Sequence, residues 1–74
     1  MAKKTPSTYT VVELVGTSTK SWEDAARTAV ETASKTLRDL RIAEVVRLDL
    51  TIEDGKVATY RARVHLSFKY HGDE

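Results

Sequence analysis

Three arginines lie at polar positions of segments whose residue pattern is typical of β-strands: Arg47, Arg61 and Arg63. In one chain they would form a polar sheet face, but symmetry-related copies would bring them together into a dense positive patch. Like charges so arranged repel one another unless they are compensated. The sequence leaves two possible sources of the compensating negative charge. One is an anionic ligand such as a nucleotide phosphate, and the other is a set of acidic residues from neighbouring copies: Glu13, Glu44 and Asp49.

The other residues able to do chemistry form no recognisable catalytic or metal site. Catalysis requires a nucleophile with a base, or a matched acid and base, and the sequence offers neither. His65 and His71 are interpreted as ordinary surface histidines. The acidic pairs at 53–54 and 73–74 match no cation loop, and residues 16–18 carry only part of a phosphate-loop pattern. We therefore predict a protein that is not an enzyme and has no metal site.

Length and charge restrict the possible partners. A chain of 74 residues without cysteine has a marginal core and no disulfides, so association with further copies is the simplest source of burial. The 12 basic and 11 acidic residues nearly cancel, which argues against nucleic acid or an anionic membrane as a partner. No apolar run reaches the roughly 18 residues of a membrane span, and the first residues lack a signal-peptide pattern. We expect a cytoplasmic protein.

The first half of the chain predicts an arm, a strand and a helix. Residues 1–8 are polar and are interpreted as a flexible arm. Residues 9–15 are apolar and β-branched, which predicts a strand, and residues 16–20 should form a turn. Ser21 then begins a capping box with Asp24, so a helix should start at the next residue. Its apolar stripe predicts about five turns and consists of Trp22, Ala26, Ala29, Ala33, Leu37 and Leu40.

The second half alternates between apolar and polar residues, as expected of two long strands joined as a hairpin. The apolar residues of both strands occupy even positions. Both sets can share one face only if an odd number of residues separates the strands. We therefore predict a three-residue loop at 54–56, which sets Asp49 opposite Arg61 and Thr51 opposite Thr59.

Glu44 interrupts this alternation, because it has the parity of the apolar residues. A β-bulge at Val45 and Val46 would return Glu44 and Ile42 to the polar face. One helix can cover only one face of a three-stranded sheet. A second copy of the chain is the simplest cover for the other face, which predicts a symmetric assembly.

Five segments together resemble the dodecin family: VELVGTS at 12–18, SWEDA at 21–25, ASKTLRDL at 33–40, EV at 44–45 and IEDGKV at 52–57. The resemblance covers residues 9–70, which are expected to form the domain, with a tail at 71–74. It implies an α+β fold of β-α-β-β order, in which a three-stranded antiparallel sheet wraps around one helix. It also implies a hollow homo-dodecamer that sequesters a small ligand, in many members riboflavin or a nucleotide such as FMN.

The flavin site of that family departs here at two positions. A tryptophan that stacks on the flavin ring is replaced by Ile42, which cannot stack as an aromatic ring does. A glutamine that pairs with the ring edge is replaced by Arg61, which has donors but no acceptor. Trp22 corresponds to another family position and is interpreted as a packing residue. The candidate ligand-binding residues are Ile42, Glu44, Arg47, Arg61 and Arg63.

The resemblance therefore implies weak flavin binding by a dodecamer. Two alternatives stay open at this point. A family member without flavin could bind an ion or another anion, or the assembly could be a purely structural shell.

Overall fold

The computed structural model describes residues 6–69. It contains β1 (Tyr9–Ser18), α1 (Trp22–Ala33), β2 (Leu40–Glu53) and β3 (Lys56–Lys69), so the predicted α+β fold of β-α-β-β order is confirmed. Most of the predicted arm and the whole predicted tail lie outside the described residues, and the domain boundaries stay a prediction. No helix within the described part of the chain is long and apolar enough to cross a membrane.

The three strands form one antiparallel sheet with β3 in the centre, in the order β1-β3-β2. On one face of β3, Ala62, Val64 and Leu66 are buried, because their alternate spacing turns all three toward the helix. The helix contributes three small residues to this core, Ala25, Ala29 and Ala33. Small side chains allow the helix axis to lie close to the sheet.

Strand β1 is longer than predicted, because it continues through Gly16 to Ser18 instead of ending in a turn after residue 15. Gly16 pairs with Ala62 and lies directly under the helix. A Cβ atom at Gly16 would meet the backbone oxygen of Ala25 at 2.0 Å. Glycine is therefore required here for close approach of helix and strand, and the strand passes through it.

The helix begins as predicted, with Ser21 as its N-cap: the Ser21 hydroxyl accepts a hydrogen bond from the Asp24 amide at 3.0 Å. The reciprocal half of the predicted capping box is wrong. The Asp24 carboxylate accepts instead from the hydroxyl of Ser18 at 2.7 Å, and that same hydroxyl accepts from the backbone amide of Lys20 at 2.8 Å. Strand end, turn and helix start are thus linked through one serine.

The prediction of a five-turn helix reaching Leu40 is wrong, since α1 ends at Ala33. Hydroxyl side chains compete for the last carbonyls: Ser34 donates to the Glu31 oxygen at 2.9 Å. The chain then turns, with the Leu37 amide donating to the Ala33 oxygen at 2.8 Å. Leu37 and Leu40 both still pack against the core, but Leu40 does so from the start of β2, where it pairs with Phe68.

The hairpin register is confirmed, with Asp49 opposite Arg61 and Thr51 opposite Thr59. The predicted three-residue loop is wrong. Asp54 and Gly55 alone form the turn, with φ of 53° and 75°, as a two-residue type I′ turn requires. A register shift between Thr51 and Ile52 shows that β3 has one extra residue there. The apolar residues of both strands therefore still share one face, as parity predicted, although the extra residue lies in β3 and not in the loop.

The β-bulge predicted near Val45 and Val46 is confirmed, because the register shifts between Val45 and Arg47. A second shift lies between Leu40 and Ile42. Between these two bulges Ile42 pairs with Ser67, and Glu44 pairs with His65. Both residues therefore lie on the face of the sheet opposite the helix.

Candidate functional site

The sheet face opposite α1 collects most of the charged residues of the strands, and we call it the polar face. Antiparallel pairing sets its residues in rows across the sheet, because directly opposed residues share a face. Its site-relevant members are Glu13, Ile42, Glu44, Arg47, Asp49, Arg61, Arg63 and His65. All five residues predicted as ligand-binding are among them.

Arg61 and Asp49 form the tightest contact on this face. The Arg61 Nε donates to Asp49 Oδ1 at 2.6 Å, and Nη2 donates to Oδ2 at 3.0 Å, a two-pronged geometry that suits arginine. These hydrogen bonds lower the pKa of the Asp49 carboxyl from its ordinary value, and the nearby charges of Arg63 and Arg47 act in the same direction. Asp49 in turn raises the pKa of Arg61. Arg61 is thus held by its own chain.

Glu13 connects β1 to two residues of β3. One carboxylate oxygen lies 3.1 Å from His65 Nε2, and the other lies 3.7 Å from Arg63 Nη1. Glu13 and Asp49 thus compensate arginines of their own chain, and compensation by acids of neighbouring copies stays a prediction. His65 was not among the predicted site residues. Its alternate spacing with Arg61 and Arg63 along β3 nevertheless indicates that all three side chains lie on the same face.

Arg47 and Glu44 differ from their neighbours, because neither has a hydrogen bond or ion pair to any residue within 6–69. Arg47 lies directly opposite Arg63, and like charges in this position are destabilising. An open cleft of about 370 Å³ lies beside this pair, lined by Glu13, Val46, Arg47, Arg63 and His65. The bulged residue Val46 is its apolar wall.

The two positions at which the family flavin site departs do not meet in one chain. Ile42 is 60% exposed and pairs with Ser67, whereas Arg61 lies six residues away along β3, roughly 20 Å at the rise of a β-strand. Ile42 also lies outside the cleft. Within one chain, these two positions therefore do not form a single site.

Trp22 is a packing residue, as predicted. Its indole nitrogen donates to the backbone oxygen of Asp49 at 3.0 Å, and its ring meets Tyr60 edge to face, with the ring centres 5.3 Å apart. An apolar groove of about 410 Å³ runs beside it between α1 and β2, lined by Trp22, Glu23, Ala26, Val45 and Leu48. Within residues 6–69, no group of three His, Asp or Glu side chains is placed to hold a metal ion.

Comparison with known proteins agrees with this architecture. The family model described as Dodecin matches residues 8–71. Calcium dodecin of Mycobacterium tuberculosis is 40% identical over 63 residues, which are 85% of this chain and 89% of that protein. The structure of dodecin from Streptomyces coelicolor superposes with a TM-score of 0.87 at 40% identity, over 95% of this chain and 100% of the other.

A crystal structure of the Mycobacterium tuberculosis protein superposes with a TM-score of 0.78 at 39% identity, over 92% of this chain and 97% of the other. That protein is described as calcium chelating, with a novel calcium-binding site. The family model spans nearly the whole chain, and the relatives share its strand, helix and hairpin order. The chain belongs to the dodecin family.

Proposed function

We propose that this chain assembles into a closed shell of twelve copies that binds and sequesters a small ligand without converting it. The observation that carries this proposal is the uncovered apolar surface of β2. The family membership supports it, since the family resemblance implies the same assembly.

The helix packs against β1 and β3 and leaves most of β2 uncovered. Large apolar side chains of β2 and the hairpin are consequently exposed in the single chain: Val45, Leu48, Leu50, Ile52 and Val57. Burial of apolar surface contributes about 25 cal/mol per Å², and contiguous apolar patches of this kind mark interaction sites. A closed symmetric assembly covers the same patch on every copy. This patch lies on the helix side of the sheet, so the need for partner copies is not confined to the polar face.

Flavin is the ligand that the family resemblance names, and the residues of the polar face fit it poorly. Ile42 offers contact area but no aromatic ring. Arg61 is already engaged by Asp49 through two hydrogen bonds, so only its remaining N–H donors could reach a ring edge, and it has no acceptor to offer. We therefore propose that riboflavin and FMN bind weakly, between copies of the chain.

Calcium is a second candidate, favoured by the name of the relative from Mycobacterium tuberculosis. Calcium takes six to eight oxygen ligands, more than the described part of one chain brings together. Glu44 is an exposed carboxylate on the polar face without a partner within residues 6–69. A calcium site in this protein would combine such carboxylates from several copies.

Light scattering on the purified full chain tests the assembly. We expect about 100 kDa, twelve copies of the 8.3 kDa chain in a closed symmetric assembly. A monomer or dimer at micromolar concentration would contradict both the shell and the sequestering function. The same sample is then titrated with riboflavin, calcium and magnesium. Binding of calcium in strong preference to magnesium and riboflavin would establish the second candidate over the first.

A further inference from the structure

The cleft beside Arg47 and Arg63 carries an excess of positive charge. Two arginines and one glutamate line it, so its formal charge is positive even with His65 neutral. Glu13 divides its carboxylate between His65 and Arg63, and the second of these contacts is an ion pair of 3.7 Å without a hydrogen bond. Among residues 6–69, Glu13 is the one acid that lines the cleft, and no hydrogen bond or ion pair joins Arg47 to an acid.

The donors of these two guanidinium groups are largely unused. Arg63 Nε is shielded from solvent and has no hydrogen-bond partner. Arg47 makes no hydrogen bond or ion pair to the described residues. Asp49 pairs with Arg61 and does not line the cleft, so it acts on Arg47 and Arg63 through its nearby charge alone. A guanidinium is a planar fork of N–H groups that fits the oxygens of phosphate, and two forks face each other across neighbouring strands.

We propose that the cleft lined by Glu13, Val46, Arg47, Arg63 and His65 binds an oxyanion, the phosphate group of a small molecule or inorganic phosphate, between Arg47 and Arg63. An anion here turns the repulsion of the two opposed arginines into attraction to a shared ligand. The cleft volume of about 370 Å³ falls in the range of small-molecule sites, so it admits a phosphate with a substituent. This site deepens the proposed sequestering function and rests on it, because it names the ligand class.

Isothermal titration calorimetry on the full chain tests the site. Inorganic phosphate and adenosine monophosphate are titrated separately, with chloride holding the ionic strength constant. We expect saturable binding of one anion per chain, and Arg47→Gln and Arg63→Gln should each weaken it at least about ten-fold, because each removes a charge-assisted contact. Arg38→Gln, at an exposed position outside the cleft, should leave the affinity unchanged. Tighter binding of the nucleotide than of phosphate would identify a substituted phosphate as the ligand.

Two results would overturn the site. The first is absence of saturable phosphate and nucleotide binding by the wild type. This includes the case in which only the Glu44→Gln variant binds, because Glu44 of another copy would then compensate Arg47 in the wild type. The second is equal affinity in the wild type and both arginine variants. Light scattering on each sample separates this inference from the assembly. A dodecamer that binds neither anion refutes the site alone, whereas a monomer that binds phosphate through Arg47 and Arg63 supports the site and refutes the shell.

Discussion

Pairing within the chain decides which polar side chains remain available for a ligand. Arg61 and Asp49 use each other, and Glu13 is shared by His65 and Arg63. Arg47 stays without a partner within residues 6–69. The three arginines, which look equivalent in the sequence, therefore differ: Arg61 belongs to the structure of the sheet, while Arg47 and Arg63 face the cleft.

The flavin proposal is tested by restoring the two family side chains. The double variant Ile42→Trp with Arg61→Gln should bind riboflavin about ten-fold more tightly than the wild type, because ring stacking contributes about 0.5–1.5 kcal/mol beyond area burial and an amide both donates and accepts. Quenching of riboflavin fluorescence measures the affinity.

The matched control for this gain is Ile42→Leu with Arg61→Gln, which changes the same positions without adding a ring. Its affinity should stay close to that of the wild type. Nanomolar riboflavin binding by the wild type, or equal affinity in the two double variants, would show that residues other than Ile42 and Arg61 build the flavin site.

At the scale of the helix and strands, one close contact between α1 and β1 and two bulges in β2 determine the geometry of the sheet. Gly16 lets α1 approach β1, while the bulges of β2 turn Ile42 and Glu44 away from the helix. A bulge re-aims side chains along a strand, which is how Glu44 comes to lie on the polar face in spite of its even position.

Gly16→Ala should destabilise the fold by about 2 kcal/mol or more, because the added methyl would overlap the Ala25 backbone oxygen, and overpacking of this kind displaces backbone. Urea denaturation at fixed protein concentration, followed by circular dichroism, measures the loss. Gly55→Asn is the control: nothing lies within 4 Å of a Cβ there, and asparagine tolerates positive φ. Equal midpoints for Gly16→Ala and the wild type would refute the close-approach argument.

At the scale of the molecule, residues 6–69 form a sheet that one helix covers only in part. Its helix protects the core formed with β1 and β3, and the apolar residues along β2 remain exposed. An assembly stabilises such a chain by burying surface that its own length is too short to cover.

Leu48→Glu should therefore break the assembly while leaving the single-chain fold in place, since Leu48 is 48% exposed and outside the buried core. Light scattering should report a mass well below that of the wild-type shell, and circular dichroism should keep its shape. Thr32→Glu places the same charge on an exposed helix position and should leave the mass unchanged. A Leu48→Glu variant with the full wild-type mass would place the interface elsewhere.

Patterns of neighbouring residues were sufficient for the element order, the helix start, the hairpin register and the bulge near Val46, because alternation and capping depend on nearby residues. They failed where local preferences competed with distant contacts. The apolar stripe continues to Leu40, but Leu40 belongs to β2, where it pairs with Phe68. Gly16 has the composition of a turn, but it is a strand residue against which the helix packs.

The candidate site divides in the same way. Parity together with the predicted bulge places Ile42, Glu44 and the three arginines on one face, because alternate residues of a strand share a face and a bulge reverses the alternation. Which acid pairs with which arginine required the folded sheet. Glu13 lies 52 residues before His65, and only the pairing of β1 with β3 brings the two together, so the distinction between an occupied Arg61 and an available Arg47 comes from tertiary contacts.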